Sequence, residues 1–226
     1  MKAVVIGASG GIGAALVEVL REEGTAVRGF ARSFAGADRL DLTDEASIAA
    51  AAASLDGAPE LVIVATGLLH EGDHGPEKSM AELSPDWLAR QYAVNAIGPA
   101  LVAEHFLPRM PRQGRSVFAV LSARVGSIGE NRLGGWYGYR MAKAALNQLV
   151  RTLSVEERRR NDRSIIIGLH PGTVDTDLSR PFQQGVRADQ LFTPARAAVQ
   201  LLDVIDGLKA PDSGKLFAWD GSEITP

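Results

Sequence analysis

Tyr139 and Lys143 stand four residues apart in the run from Tyr137 to Leu149, a spacing that puts a phenol and an ammonium on one face of a helix. A cation beside a phenol favours the phenolate, so the pair predicts a tyrosine that trades its proton near neutral pH and not near 10. That is the chemistry of a general acid. Tyr137 is the competing phenol, but the residue four on from it is Met141, so the register selects Tyr139. Such a pair arises by chance in many chains. Its weight comes from a glycine loop near the N-terminus, Gly7-Ala8-Ser9-Gly10-Gly11-Ile12-Gly13, which predicts a dinucleotide for the acid to serve.

The elements that must carry these residues are legible as alternating patterns. Apolar runs at Ala3–Ile6, Ala26–Phe30, Leu61–Ala65, Ser116–Leu121, Ile165–His170 and Leu216–Trp219 predict strands. Between them, helical patterns lie at Ile12–Glu23, Glu45–Ser54, Pro85–Met110, Tyr137–Arg160 and Pro194–Leu208. Continuous apolar strands point to a parallel sheet covered on both faces, and the alternation predicts a doubly wound α/β fold of Rossmann type. Thr193-Pro194 is a helix start, with the hydroxyl as N-cap and proline at the first helical position. No repeat or linker divides the chain, so residues 1–226 are expected to form one domain.

Composition narrows the partners. Lys and Arg total 24 against 27 Asp and Glu, leaving no broad basic field for nucleic acid or an acidic membrane surface. The dense cluster Arg158, Arg159, Arg160 and Arg163 reads as a solvated helix C-terminus that complements the dipole. With no cysteine, disulfides, thiolate metal sites and cysteine nucleophiles are excluded. The N-terminal run is a buried-strand pattern without the features of a signal peptide, and no apolar stretch approaches membrane-spanning length. A cytoplasmic protein is expected.

The loop spacing G-x-x-x-G-x-G, together with Tyr139 and Lys143, resembles the short-chain dehydrogenase/reductase superfamily in its single-domain form, over nearly the whole chain. The resemblance implies that Gly7, Ser9, Gly10, Gly11, Ile12 and Gly13 face the cofactor pyrophosphate, the backbone N–H groups and helix dipole supplying the attraction. It places Asp41-Leu42 at the adenine after a third strand-like segment, and Ala65-Thr66-Gly67, a degenerate form of the usual motif, along the cofactor. His170-Pro171-Gly172-Thr173-Val174-Asp175-Thr176 is similar to the family segment that holds the nicotinamide amide, which brings in Pro171, Gly172, Val174 and Thr176. At the end of the second strand Ala31 falls where an NAD enzyme carries an acid, and Arg32-Ser33 follow. A guanidinium with no carboxylate to repel a 2′-phosphate favours NADP, the other reading being a solvated surface arginine.

At the reacting end the resemblance implies that Tyr139 protonates a carbonyl oxygen and Lys143 binds the nicotinamide ribose. A serine hydroxyl should polarise the carbonyl. Counting from Gly114 reaches Ser122, counting back from Gly126 reaches Ala123, and Ser127 is the reserve. Asn95 matches the helix asparagine whose carbonyl holds a water leading from the lysine, although a structural asparagine would look the same. The segment from Gly126 to Arg140 is similar to a subgroup of C-factor-type signalling proteins and small carbonyl reductases. There Leu133 and Trp136 are expected to wall a pocket, the other reading of Trp136 being a packing aromatic, with a lid over about 177–192 and Phe182 and Phe192 contributing apolar surface. His70 and His74 read as exposed histidines on a loop with no third ligand, so no metal is expected. The reading is an NADPH-dependent reductase of a ketone or aldehyde, with a dinucleotide-binding signalling protein as the alternative. A sugar-nucleotide epimerase fits less well, the chain being short and the loop spacing wrong. The family also implies a homodimer or homotetramer through the helices around 97–110 and 137–160.

Overall fold

Strand β1 (Lys2–Ile6) shows why the sheet must be covered on both sides: Ala3 and Val5 enter one apolar cluster, Val4 and Ile6 the other. The computed structural model describes residues 1–226, apart from the side chain of Ala188. Its main sheet contains β1, β2 (Ala26–Phe30), β3 (Leu61–Val64), β4 (Ser116–Leu121), β5 (Ser164–His170) and β8 (Leu216–Ala218). The order is β2-β1-β3-β4-β5-β8, and every neighbouring pair is parallel. All six match the predicted runs to within a residue or two. Because successive side chains alternate, Phe118, Val120 and Ile166 face one layer while Val117, Ala119, Ile165 and Ile167 face the other.

Helices α1 (Gly11–Glu22) and α6 (Pro194–Gly207) cover the face that holds Val5, Ile63 and Ile167. Helices α2 (Glu45–Ala53), α4 (Gly98–Phe106) and α5 (Tyr137–Arg160) cover the other. Thr193 caps α6 as expected, its hydroxyl accepting from the N–H of Arg196 at 3.2 Å. A second, two-stranded sheet pairs β6 (Thr173–Val174) with β7 (Leu191–Phe192) and fastens the two ends of the excursion between them. No helix is long and apolar enough to cross a membrane among the described residues.

Two sequence expectations change. The third strand-like segment before Asp41 forms no strand, only a 3₁₀ turn at Gly36–Asp38 and a single bridge between Ala31 and Arg39. Its run G-A-D-R-L-D-L buries Leu40 and Leu42, half-buries Asp41 and exposes the rest, so it has only a few residues to offer a sheet edge. The predicted helix from Pro85 is interrupted: α3 (Pro85–Tyr92) passes through a π-type turn at Ala93–Ile97 before α4 begins. Pro99 supplies a reason. It stands four residues after Asn95 and has no N–H to give to the Asn95 carbonyl oxygen, so the α-helical ladder breaks there.

Candidate active site at the carboxyl ends of the strands

The glycine loop turns out of β1 through Gly7, whose φ of +92° suits glycine alone, and whose N–H donates to Phe30 O at 2.8 Å. A Cβ on Gly7 would lie 2.6 Å from Ala65 O, and one on Gly13 would collide with the Gly7 carbonyl oxygen. A Cβ on Gly11 would lie 2.7 Å from the Thr176 methyl. These glycines bring the start of α1 against the ends of β1 and β3. No side chain caps that start, so its first N–H groups point outward with the positive end of the helix dipole.

Beside this loop is a cavity of about 260 Å³ lined by Gly7, Ser9, Gly10, Arg32, Asp41, Leu42, Ala65, Thr66 and Gly67. Nine of the predicted cofactor residues, scattered over sixty positions, thus meet at one place. Thr66 adds a buried hydroxyl oxygen with no partner among the described residues. Ser33 is exposed and lines no described cavity. Burial would raise the Asp41 carboxyl, but hydrogen bonds from Thr43 and the fields of Arg32 and Arg39 hold it below the usual carboxylate range. Glu71 and Arg90, which the sequence reading passed over, complete the rim as a two-pronged ion pair at 2.8 and 2.9 Å. The hydrogen bond from Arg90 holds the Glu71 carboxyl low.

A second cavity, about 450 Å³, adjoins the other side of α1's start. Ile12, Pro171, Gly172, Val174 and Thr176 line it, and so do Ser122 and Tyr139. Leu133 and Trp136 wall it as expected, and Phe182 reaches it from the 175–190 excursion. Phe192 does not. It is buried with Val174 and Ala197 and stacks edge-on against Trp219 with ring centres 4.7 Å apart, because β7 fastens it beneath the excursion.

Helix α5 delivers the reacting pair along its buried stripe: Tyr139, Lys143 and Asn147 follow one another at four-residue steps. Lys143 is fully buried; its Nζ donates to Leu121 O at 2.8 Å and lies 5.6 Å from the Tyr139 ring centre. Burial, not mutual attraction, dominates both groups. It pushes the phenol well above its ordinary range and lowers the amine to about 7. The expectation of a phenol titrating near neutrality is therefore not met, because the sequence argument left out the desolvation of both members.

Ser122 follows directly on β4, and its hydroxyl donates to Asn147 Oδ1 at 2.6 Å. Ser127 lies outside the cavity, its hydroxyl given to Thr225 O and accepting from the Glu130 N–H. Asn95 is buried in the π-type turn. Its amide holds both backbone groups of Leu68 at 2.8 and 2.9 Å and bonds Gln91 at 2.8 Å. The side chain is thus spent on packing α3 against the loop after β3.

Besides Glu71 and Arg90, three residues at the site carry no expectation from the sequence: Asn147, Glu77 and His170. Asn147 could have been found as the next member of the four-residue stripe. Glu77 is buried from 61 positions away: its carboxylate accepts from the Gly138 N–H at 3.1 Å and its carbonyl from the Trp136 N–H, so it caps α5 where no local side chain does. Trp136 is held there at φ +53°, a left-handed conformation costly for an indole side chain. Its ring touches both Tyr139 and Phe182, at centre distances of 6.3 and 5.4 Å. Neither the burial of Glu77 nor the left-handed backbone of Trp136 carries a local signal. His170, whose imidazole is lowered to about 4 by burial and by Arg124, also lines the larger cavity. His70 is not a free histidine, since its Nε2 sits 3.1 Å from Asp177 O.

A parallel doubly wound sheet, a glycine turn onto an uncapped helix, and a buried tyrosine and lysine beside the next strand ends define a Rossmann-type α/β protein. The chain belongs to the short chain dehydrogenase family, an oxidoreductase family whose model matches residues 1–187. Among its relatives is the C-signal protein of Myxococcus xanthus, 37% identical over 138 residues, covering 61% of this chain and 77% of that protein. A 1-hydroxy-2-glutathionyl-2-methyl-3-butene dehydrogenase from Rhodococcus sp. is 31% identical over 229 residues, covering 97% of this chain and 96% of that one. The NADPH-bound carbonyl reductase from chicken fatty liver superposes with a TM-score of 0.84 at 25% identity, over 100% of this chain and 98% of the other.

Proposed function

We propose that the protein is an NADPH-dependent carbonyl reductase that turns a ketone or aldehyde into the corresponding alcohol. The observation that carries the reading is that Ser122 and Tyr139 line one cavity which meets the glycine loop's helix at Ile12. The residues fit a dinucleotide. The close-packed glycines, the uncapped start of α1 and the unpartnered Thr66 hydroxyl make a cradle with donors but no acid at the end of β2. Arg32 at its rim would take a 2′-phosphate, and the chicken reductase was crystallised with NADPH. When bound, NADPH supplies the hydride to the carbonyl carbon and leaves as NADP.

Tyr139 gives its phenolic proton to the carbonyl oxygen. A phenol held protonated by burial is in the form that reduction requires. Lys143, with its amine near 7, can pass a proton at neutral pH, and a water held by the Asn95 carbonyl would continue that path to solvent. Ser122 contributes by exchanging its bond to Asn147 for one to the substrate oxygen. The excursion between β6 and β7 acts as a lid, its Phe182 closing on Trp136. Exposed Ile97, Met141 and Val155 support self-association through the α4 and α5 faces.

The test is NADPH oxidation across aldehydes, diketones and quinones, with Tyr139→Phe alongside. Loss of the tyrosine proton is expected to lower kcat about 10²–10⁴-fold while NADPH binding, read by nucleotide fluorescence, persists. Wild type and variant equally inactive, with NADPH still bound, would sink the reductase reading. That outcome would favour the second reading, a dinucleotide-binding signalling protein, which the 37% identity to C-signal supports.

A further inference from the structure

The larger cavity is mostly apolar around Leu69, Trp136, Leu178 and Phe182, but three arginines, Arg124, Arg132 and Arg140, also line it. The one carboxylate lining the cavity is Glu130, and it is already paired with Arg124 at 2.8 Å. The other two arginines form no ion pair among the described residues. Arg132 donates to Gly129 O and Asn131 O at 3.0 and 3.3 Å. Half-buried Arg140 donates to Gly134 O, Gly135 O and Val125 O at 3.3, 3.0 and 3.1 Å. Its Nη2 has no partner among the described residues.

Resting on the reductase reading above, we propose that the substrate is a carbonyl compound that also bears a carboxylate, which Arg140 and Arg132 bind.

Gly134 and Gly135 both adopt left-handed conformations, with φ of +64° and +63°, and so turn two successive carbonyls toward the Arg140 Nε. Three carbonyl dipoles fix the plane of the guanidinium without cancelling its unit charge. A partly desolvated cation held in place by backbone, with its Nη2 unspent, is a preorganised donor for a carboxylate oxygen. The remaining ionisable groups nearby do not neutralise it. His170, lowered to about 4, is uncharged at pH 7, and Asp177 is paired to Arg180 at 2.8 Å outside the lining. The local positive excess also runs against the chain's net charge of −3, so it is not the overflow of a basic protein. Arg140 follows Tyr139 directly on α5, and both line the cavity, so one small molecule can reach the phenol and the guanidinium together.

The experiment compares carboxylates with their methyl esters, using 4-carboxybenzaldehyde and levulinate as the two acids. The wild type, Arg140→Met and Arg132→Met are measured with NADPH, and binding of the matching alcohol products is followed by calorimetry without turnover. The wild type is expected to favour carboxylate over ester at least about tenfold in kcat/KM and in product affinity. The preference should shrink in 0.5 M salt and fall in Arg140→Met, mostly through KM. If Arg140→Met does not fold, Arg132→Met and the salt dependence carry the test. Equal affinity for acids and esters, or a preference that both variants retain, would overturn the inference while leaving any reductase activity intact. Preferential binding of the acidic alcohols without turnover of either aldehyde or ketone would do the opposite, keeping anion recognition and removing the reductase reading.

Discussion

The smaller cavity is walled largely by residues that follow directly on β1, β2 and β3, with Asp41, Leu42 and the Glu71–Arg90 pair completing it, whereas the larger one is assembled from α5, the ends of β4 and β5, and the excursion between β6 and β7. In the first, the place of Gly7, Ser9, Gly10, Arg32, Ala65, Thr66 and Gly67 follows from the strand each comes after. In the second, it depends on how a 24-residue helix is seated and capped from 61 positions away. Recognition of a dinucleotide needs N–H groups and close backbone approach, which a contiguous motif encodes. Chemistry on a carbonyl needs side chains converging from different segments, and only packing brings them together.

The sharpest way to break this contrast is at Ser122. Ser122→Ala is expected to lower kcat about 10²–10³-fold, with NADPH affinity unchanged, as measured by steady-state kinetics beside nucleotide fluorescence. The same loss from Ser127→Ala would move the hydroxyl out of the cavity and undo the division. Gly13→Ala strikes the other end. With the added methyl directed at the Gly7 carbonyl, it should cost about 1–3 kcal/mol of stability and weaken NADPH binding, readable by urea denaturation and titration. Full stability in that variant would show that the loop yields, and that the cradle is less rigid than its contacts imply.

A gentler probe is pH. Lys143 binds a proton less readily folded than unfolded, so between about 7 and its ordinary value of 10.5 the unfolded chain holds more protons and stability rises with pH. The slope without nucleotide should approach about 1.4 kcal/mol per pH unit toward pH 9, flatten below 7, and vanish in Lys143→Met. A flat profile in the wild type between pH 7 and 9 would mean that the amine is better solvated than its surroundings suggest. The smallest effect is at the rim. Arg32→Ala should reduce the preference for NADPH over NADH about tenfold, near 1.4 kcal/mol, and an unchanged ratio would remove Arg32 from the phosphate site.

What was legible in the sequence follows the same division. All six strands of the main sheet were readable because continuous apolar runs are required of a parallel strand buried on both faces. The segment before Asp41 misled because a family pattern was laid over residues too polar to form a strand. The break at Asn95 is encoded locally by Pro99, four positions on. Asn147 too was present as the third step of a visible stripe. Glu77, by contrast, looks like any loop glutamate until the fold buries it at the start of α5, and Trp136 gives no sign in sequence of its left-handed backbone.

By itself the sequence determined the α/β alternation, the glycine turn onto α1 and the four-residue register of Tyr139 and Lys143, because each is a local pattern repeated at a helix or strand period. Only the tertiary structure decided that Ser122 and not Ser127 shares the cavity with the phenol, and that Phe182 but not Phe192 closes on it. It also decided that burial outweighs attraction in setting the two proton affinities. Desolvation and convergence depend on what lies opposite a residue in space, and the distance along the chain carries no record of that.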